Sequence, residues 1–569
     1  LAIAILISAV NALTLSPALC ALILKNQHSN EPGEKQKFTQ RFAGAFNTGF
    51  ERLTDKYIGA VRFLGKRKSI AIGALALVAF GAFFLMNTAQ KGFVPEEDDN
   101  NLTFVVNLQA GANLQFITKE MEKATEIVTA LPEVKSISTV SGFSLFSSGS
   151  APNSAMGFIT LKNPKDRGKV SDINEVMHKI EDAMRGRIRG EFLIFRNPAV
   201  EGFGTAGGVE FVLQDRASGS IADFEAVSQK VIAALSERPE IGMAFTTFRS
   251  DYPQYEVVLD EDKAQQLGLT PKEVMDALQL YLTGSQTTDF VRFGRLYRVN
   301  VRSEAEFRKD EASLNNIMIR NNLSQMVPIS TLVTLKKVFG PQGISRYNLY
   351  NSISVNVNAG AGASSGKVMG VIDEVLQKEL PKGYSYEYSG LSLQERKSGS
   401  QMVFIFGLSI LFVYFLLAAQ YESYLLPLAV MLSLPTGILG VFIATGLAGI
   451  ANNIYVQIAM IMLVGLLAKN AILIVEFAVQ QRKAGLPVFE AGIAGARMRL
   501  RPILMTSFAF VAGLVPLMFA KGGTAIGNQS ISISAAGGML SGVVLGVLVI
   551  PVLYMIFQRL QDRVSGGKG

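Results

Sequence analysis

The stretch Gly465-Leu-Leu-Ala-Lys469-Asn470-Ala-Ile-Leu-Ile-Val-Glu476 lies within an apolar segment at 454–481, and it decides the fold class. A helix needs about 20 apolar residues to cross a hydrocarbon core, so this segment predicts a transmembrane helix. Lys469 lies near its middle, too deep to reach either interface easily. A lysine at a helix centre costs on the order of 2.5–3.5 kcal/mol and is normally paired and functional. The segment therefore predicts a membrane protein with a buried ionisable site, unless Lys469 is a snorkelling lysine or forms a static ion pair.

Working outward, the sequence contains seven segments of this kind. They are 1–24, 69–87, 401–420, 424–447, 454–481, 502–520 and 529–557. The first begins at Leu1, inside an apolar run and without the basic start of a signal peptide, so we expect the chain to be cut from a longer one.

Charge separates the chain into two environments. Of its 569 residues, 49% are hydrophobic, and 54 are Lys or Arg against 46 Asp or Glu. Residues 88–398 carry a net charge of −4, and the remainder carries +12. Because basic residues collect in cytoplasmic connections, the Lys/Arg-rich segments 25–68 and 482–501 predict the cytoplasmic side. Residues 88–398 then lie on the far side, which is the periplasm in a Gram-negative cell.

Composition also excludes several classes of function. One cysteine, Cys20, and two histidines, His28 and His178, cannot form a disulfide framework or a Cys/His metal site, so we expect no metal and no cofactor. The basic excess belongs to membrane topology and not to nucleic-acid binding. The acidic run Glu96–Asp99 has no EF-hand spacing, and we interpret it as a solvated face.

Residues 88–398 alternate strand and helix patterns. Strands are predicted at 102–108, 134–142, 155–162 and 192–196, with helices at 114–131 and 171–187. A second set contains strands at 208–214, 242–248, 254–260 and 384–389, with helices at 221–236, 271–282 and 365–380. The order predicts tandem ferredoxin-like βαββαβ units, the second interrupted by an insertion at 284–345.

Four further patterns leave alternatives open. Apolar residues spaced by three and four in 36–64 predict an amphipathic helix, lying on the membrane face or packed on the bundle. Thr506 and Ser507 could relay a proton or bond to their own helix. Arg497, Arg499 and Arg501 could set topology or act in function. The stripe Gly538, Gly542 and Gly546 favours close helix packing.

The 465–478 stretch, together with Arg497-Met-Arg-Leu-Arg-Pro-Ile-Leu-Met-Thr506-Ser, resembles helices ten and eleven of resistance-nodulation-division (RND) multidrug efflux pumps. Leu15–Cys20, Gly92–Asp99 and Ala419–Ser423 resemble other family segments. We therefore expect the C-terminal half of a transporter of the hydrophobe/amphiphile efflux type: an α-helical membrane protein with an α+β periplasmic domain.

The resemblance implies proton antiport, and so not an enzyme. It also implies a homotrimer in the Gram-negative inner membrane, linked by a periplasmic adaptor to an outer-membrane channel. In the family, the lysine matching Lys469 pairs with two aspartates on the fourth helix, and the residues matching Thr506 and Arg499 belong to the same relay. We place Lys469, Asn470, Thr506 and Arg499 in the proton relay. The aspartates are not in this chain, so it should not complete the proton cycle alone.

The loop Gly142-Phe143-Ser-Leu-Phe146 resembles the family's switch loop between two drug pockets, and Phe158 and Phe195 match further pocket aromatics. We therefore expect Phe143, Phe146, Phe158 and Phe195 to bind hydrophobic substrates, although any of them could instead be core. Ser138 replaces a family aromatic, which affects the expected drug spectrum. Arg292–Arg298 would belong to the docking insertion or form only a solvated hairpin.

These expectations divide the chain into eight parts. They are 1–24, a transmembrane helix; 25–68, a cytoplasmic segment with the amphipathic helix; 69–87, a transmembrane helix; 88–200, the first porter subdomain; 201–283 and 346–398, the two parts of the second porter subdomain; 284–345, the docking insertion; and 399–560, a five-helix bundle.

Three rival functions remain. A heavy-metal exporter of the same superfamily would need a methionine cluster, whereas Met121, Met156 and Met243 are scattered in the sequence. A protein- or lipid-translocating relative would share the helices but not the tandem periplasmic pattern. The third rival is an inactive, truncated half-transporter.

Overall fold

The computed structural model describes residues 7, 10–23, 38–147, 149–360 and 362–564. It contains a bundle of long apolar helices and a β-rich domain inserted between two of them. The first described helix is α1 (Leu15–Ile23), whose described side chains are exposed. The bundle helices are α2 (Phe38–Lys66), α3 (Lys68–Thr88), α10 (Gly390–Tyr421), α11 (Leu426–Met431), α12 (Leu434–Leu447), α13 (Ile454–Lys483), α14 (Val488–Met518) and α15 (Ala525–Val564).

Among the described residues, six helical segments are long and apolar enough to cross a membrane. They are Lys68–Thr88, Val403–Tyr421, Leu426–Leu447, Ile454–Lys483, Val488–Met518 and Ala525–Val564. Each coincides with a predicted segment. The predicted segment 1–24 falls partly outside the described residues, and its described part contains only a shorter apolar helix, Val10–Leu22.

The predicted segment 424–447 corresponds to the single span Leu426–Leu447, with a break at 432–433 because Pro435 lies in the first turn of α12 and has no N–H to continue the ladder. One helix prediction needs correction. Helix α14 begins at Val488, well before the predicted 502, so Arg497, Arg499 and Arg501 lie in a helix and not in a loop. Pro502 lies inside α14, which continues through it.

The first sheet of the β-rich domain contains four antiparallel strands in the order β2-β3-β1-β4. Its elements are β1 (Asn101–Asn107), α4 (Leu114–Thr129), β2 (Val134–Ser144), β3 (Gly149–Leu161), α5 (Ile173–Met184) and β4 (Glu191–Arg196). One face of the sheet packs on the two helices through a core that includes Phe104, Ile117, Ile159 and Ile180. The period-two and period-3.6 apolar patterns therefore meet in one core, as predicted.

The second sheet has the same order, β6-β14-β5-β15, with β13 (Ser345–Tyr347) added beside β14. Its other elements are β5 (Val209–Asp215), α6 (Ile221–Ser236), β6 (Ile241–Phe245), β14 (Tyr350–Ala359), α9 (Ser365–Glu379) and β15 (Tyr384–Tyr388). The predicted assignment of the strand 254–260 and the helix 271–282 to this unit is wrong, because both belong to the insertion, which begins before the predicted residue 284. The third strand is β14, whose Ile353, Val355 and Val357 are buried in the core.

The strand at 252–259 belongs instead to the insertion, where it pairs with residues 333–340. The insertion contains β7 (Tyr252–Leu259), α7 (Glu261–Gln266), α8 (Pro271–Leu278), β8 (Ser285–Arg292), β9 (Arg295–Val301), β10 (Met318–Arg320), β11 (Met326–Pro328) and β12 (Val333–Gly340). Val257 and Leu259 pack against its separate core, which includes Val274 and Ile329. That packing explains why the strand leaves the second sheet.

The acidic run Glu96–Asp99 is not the solvated face that we predicted. Asp98 forms a bidentate ion pair with Arg167, whose side chain is fully buried. The Glu97 carboxylate accepts a hydrogen bond of 2.9 Å from the backbone N–H of Gly527 in the first turn of α15. The acidic run therefore stabilises the segment that leads into the first sheet and joins the β-rich domain to the bundle.

Helix α2 packs on the bundle. Tyr57, Ile58 and Val61 are buried in the bundle core, and the Tyr57 hydroxyl donates to the carbonyl of Val547. Phe46 and Leu53 remain exposed on an adjacent face. Of the two predicted arrangements, the structure confirms the packed helix.

The predicted glycine stripe on α15 is confirmed as a packing surface. A Cβ atom at Gly538 would lie 2.3 Å from a Leu463 methyl carbon, and one at Gly542 would lie 2.3 Å from a Leu467 methyl carbon. Both leucines are on α13. The missing side chains therefore allow α13 and α15 to pack closely along their middle turns.

Candidate functional site

Lys469 lies halfway along α13, about 22 Å from its first residue by helical rise. Its side chain is exposed at the surface of the bundle. No described residue forms an ion pair with it or accepts a hydrogen bond from it. Glu476, the acidic residue on the same helix face, instead accepts a hydrogen bond of 3.2 Å from Gln480. The described part of the chain therefore supplies no counter-ion for this ammonium group.

The face of α13 around Lys469 is also unfilled. Gly465, one turn earlier, has no heavy atom within 4 Å of the position that a Cβ would take, and Ile458 is 47% exposed. The opposite face of α13 is buried against α14 and α15 through residues such as Leu463 and Ala471. The lysine thus sits on the helix face that the bundle leaves open.

Asn470 points the other way and is buried where α13, α14 and α15 meet. Its amide nitrogen donates to the Ser507 hydroxyl at 3.3 Å and lies 3.8 Å from the Met539 sulfur. Thr506 bonds to its own helix, because its hydroxyl donates to the Ile503 carbonyl at 3.1 Å. Of the two adjacent hydroxyls, only that of Ser507 reaches a predicted relay residue.

Arg499 lies on α14 with its guanidinium over the ring of Phe477, 5.1 Å from the centroid. Its Nε is buried and has no hydrogen-bond partner among the described residues. Its neighbours have partners on α2: Arg497 pairs with Asp55 at 2.7 Å, and Arg501 donates to Asn47. The four predicted relay residues occupy neighbouring helices but form no single hydrogen-bonded network within the described structure.

An aromatic cluster lies between the two sheets. Phe146, from the predicted loop, lies 5.6 Å from Phe195 on β4 and 5.8 Å from Phe245 on β6, measured between ring centroids. Phe195 is fully buried, whereas Phe146 is half-buried. The cluster is on the face of the first sheet that does not pack on α4 and α5, and it also contains Val105 and Leu193.

The structure brings only two of the four predicted substrate aromatics together. Phe143 is half-buried and pairs with Ser150 across the loop strands. Phe158 is 43% exposed on β3, opposite Thr103 on β1 and Ser138 on β2. No described ring stacks on either phenylalanine.

Sequence reasoning missed two features of this region. Phe245 completes the aromatic cluster. Met243 and Phe245 are two residues apart, a spacing that places both side chains on one face of a strand and could have identified Phe245 from the sequence. Met156 and Met243, which we took as scattered, both border the cluster, while Met121 lies in the core on the opposite face of the sheet.

The β-rich domain contacts the bundle at the starts of α13 and α15. The backbone N–H of Ile454 donates to the Phe93 carbonyl at 2.9 Å, and Glu97 binds the first turn of α15. A cavity of about 210 Å³ opens beside these contacts, lined by residues that include Glu96, Asn197 and Tyr455. The helix that carries Lys469 therefore begins directly against the domain that carries the aromatic cluster.

The AcrB/AcrD/AcrF family matches residues 1–558. The chain is 34% identical to the multidrug export protein AcrF of Escherichia coli strain K12, over 98% of this chain and 54% of AcrF. It is 33% identical to the toluene efflux pump membrane transporter TtgB of Pseudomonas putida, over 97% of this chain and 52% of TtgB. It is 31% identical to the multidrug resistance protein MdtF of Escherichia coli strain K12, over 98% of this chain and 54% of MdtF. The chain spans about half the length of these relatives.

Proposed function

This chain belongs to the AcrB/AcrD/AcrF family of RND multidrug efflux transporters, and from that premise we propose that it is part of a proton-driven exporter of hydrophobic and amphiphilic compounds. Its relatives include multidrug and toluene efflux proteins. The observation that carries the proposal is Lys469, an ammonium group halfway along a membrane-length helix, exposed on a face that the bundle leaves open.

The charge of Lys469 is costly at the centre of a membrane. An unpaired lysine at the centre of a membrane helix is unfavourable by on the order of 2.5–3.5 kcal/mol, so an anion should cover it in the assembled transporter. A carboxylate from a helix outside this chain fits the open face beside Gly465. Protonation of that carboxylate would release the lysine, and deprotonation would recapture it. Each proton moving down 100 mV supplies about 2.3 kcal/mol, so one or two protons can drive a cycle.

The contacts at the starts of α13 and α15 would carry this change to the β-rich domain. Glu97 holds the first turn of α15, and α15 packs on α13 through Gly538 and Gly542. A shift of α13 on release of Lys469 would then move α15 and the segment that leads into β1. The coupling would need no nucleotide.

The aromatic cluster is our proposed substrate site, with Phe146 and Phe195 as its walls and Phe143 and Phe158 at its margin. Apolar walls with few polar groups bind many amphiphiles by contact area. The half-buried Phe146 on a loop can shift its ring between neighbouring sites, whereas Phe195 is fixed in the sheet. Phe245 joins them as a proposed substrate residue.

We assign the rest of the β-rich domain from its strand order and from the exposure of its hairpin. The strand order of both sheets supports two ferredoxin-like porter subdomains, the second interrupted by an insertion at 252–340. The insertion carries the hairpin β8–β9, whose residues are almost all exposed and whose tip, Phe293-Gly294, has positive φ at both positions. This hairpin would dock on the periplasmic adaptor or outer-membrane channel, in a homotrimeric, inner-membrane pump to which this chain contributes seven transmembrane helices.

A heavy-metal exporter is the second candidate, because Met156 and Met243 both border the aromatic cluster and thioethers bind soft metal ions. Silver resistance separates the two functions. If the protein exports drugs, replacing both methionines by leucine should leave silver resistance unchanged. Loss of silver resistance with an unchanged drug profile would favour the metal exporter.

The test of the proposed function is drug resistance in a strain lacking other efflux pumps, with this chain produced in its complete transporter. Lys469→Ala should abolish resistance at equal membrane abundance. Lys521→Ala, which removes a lysine from the connection between α14 and α15, is the matched control and should retain resistance. Full resistance in the Lys469 variant would contradict the proton-coupled mechanism.

A further inference from the structure

Five basic residues gather where α2 ends, α3 begins and α15 ends. Lys66, Arg67 and Lys68 are consecutive at the junction of α2 and α3, and Arg559 and Arg563 are one turn apart near the end of α15. Arg559 and Arg563 are close enough to Lys68 for their charges to repel its ammonium group. We call these five residues the cationic cluster.

The cationic cluster lies at the end of the bundle remote from the β-rich domain. Helix α3 runs from Lys68 to Thr88 and then enters the domain, while α15 starts against Glu97 and ends at Val564. Both helix ends therefore face the membrane surface opposite the domain. This is the surface that the basic connections predict to be cytoplasmic.

No described carboxylate forms an ion pair with any member of the cationic cluster. Asp562, between the two arginines in sequence, pairs instead with Arg482 at 3.6 Å. Basic residues elsewhere on this surface do have acidic partners. Arg497 pairs with Asp55 and Arg62 with Glu490. Within the described residues, the positive charge of this surface is thus partly neutralised by ion pairs beside α14, whereas the cationic cluster beside α3 and α15 forms none.

An apolar surface begins directly below the cationic cluster. Leu75 lies seven residues into α3 and packs with Leu553 and half-buried Phe557 on α15. By helical rise, Leu75 is about 10 Å deeper than Lys68, and Leu553 is about 9 Å deeper than Arg559 and about 15 Å deeper than Arg563. Ile72, on the turn between Lys68 and Leu75, is 51% exposed. The basic residues at the membrane surface suit the headgroup of a phospholipid, and the exposed apolar side chain one turn deeper suits an acyl chain.

We propose that the cationic cluster binds the phosphate-bearing headgroup of an anionic phospholipid, with an acyl chain lying along the exposed face of α3 at Ile72. Clustered Lys and Arg residues beside a membrane helix attract anionic lipid by about 1 kcal/mol each. Basic residues that only set membrane topology must lie near the helix ends. They need not cluster together, and they need not lack acidic partners as these five residues do within the described structure. A bound headgroup would relieve the repulsion within the cluster and tie the start of α3 to the end of α15.

The chain contains no tryptophan, so one introduced indole reports lipid contacts without background. Leu560→Trp places the reporter between Arg559 and Arg563 at a site that is 41% exposed. Phe412→Trp, at an exposed position on α10, is the matched reporter for bulk lipid. The protein is reconstituted in mixed vesicles, and quenching is compared between brominated phosphatidylglycerol and brominated phosphatidylcholine.

Brominated phosphatidylglycerol should quench the reporter at 560 more than phosphatidylcholine does, and the reporter at 412 should show no such preference. Combining Lys68→Gln, Arg559→Gln and Arg563→Gln should reduce the preference by at least tenfold, since each cation contributes about fivefold. Removing the same number of charges at Arg62, Arg497 and Arg501, whose partners Glu490, Asp55 and Asn47 lie outside the cluster, should leave it within about twofold.

Three results would overturn the proposal. They are an equal preference at both reporters, a preference that survives the triple variant, and an equal loss in the control variant. Inorganic phosphate, at the same ionic strength as a chloride buffer, should leave the preference unchanged. Its disappearance in phosphate would identify a free-anion site and would also count against a lipid.

Discussion

Replacing Asp98 by asparagine should loosen the first sheet of the β-rich domain. Asp98 holds the buried Arg167 guanidinium at 2.6 and 2.8 Å, and Arg167 also donates to Asn100, Lys162 and Ser171. All five N–H groups of the arginine therefore have acceptors. The asparagine keeps the shape of the aspartate but removes its charge and places an N–H₂ group against the guanidinium.

The magnitude follows from the burial of the pair. The Arg167 side chain has no exposed surface, and that of Asp98 is 19% exposed. Removing one partner of a buried ion pair costs about 3–5 kcal/mol, because the other charge remains in the interior. If β1 opens with the sheet, its backbone amides should exchange with solvent roughly 150 to 5,000 times faster.

Hydrogen exchange followed by mass spectrometry measures this in the full chain, and peptides that cover 101–107 give the local value. Asp182→Asn is the matched control, because Asp182 pairs with Arg185 at 3.4 Å with both side chains at least 70% exposed. An exposed pair contributes about 0–1 kcal/mol, so exchange in the control should accelerate by less than about sixfold. Similar exchange in the two variants would refute the structural role that we assign to Asp98.

Three further predictions concern packing, pH and substrate contacts. Gly440→Ala should destabilise the bundle by about 1–3 kcal/mol in a thermal unfolding assay, because the new Cβ would lie 2.4 Å from the Gly537 carbonyl oxygen. Gly513→Ala, with nothing within 4 Å, should be neutral or stabilising; equal losses would refute the packing argument. Burial raises the pKa of the Glu395 carboxyl despite a hydrogen bond from Ser365, so stability should be full below the ordinary glutamate pKa and fall as pH rises through the raised value. Glu395→Gln should remove that fall, so the variant should gain melting temperature relative to the wild type at pH 8 but not at pH 4; a gain of the same size at both pH values would refute the link to Glu395. Phe245→Ala should narrow the range of exported drugs unevenly, and an unchanged resistance profile at equal abundance would remove this ring from the substrate site.

The sequence predicted the helices and most of the strands because their apolar periods are strong. It did not predict strand partners, because alternation identifies a strand but not its neighbour. Val257 and Leu259 look like core of the second sheet, yet they pack in the insertion, while β14 fills the place that we had given them.

The candidate site shows the same limit. Lys469 could be recognised in the sequence because it is a lysine in the middle of an apolar helix. The sequence could not show that the bundle leaves the helix face around it uncovered. The buried pair of Asp98 and Arg167 joins residues far apart in the chain, and neither stands in a periodic pattern. Phe245 was missed because a single aromatic in a short strand is more often ordinary core.

The central claim is that protons move only when Lys469 exchanges partners with a titratable acid. The most direct measurement is proton flux in proteoliposomes that contain the complete transporter, with a pH-sensitive dye inside and a drug gradient imposed. The wild-type protein should move protons against the drug, and Lys469→Ala should show neither drug-dependent proton flux nor drug transport. Drug-dependent proton flux that persists at the wild-type rate in Lys469→Ala would contradict the account.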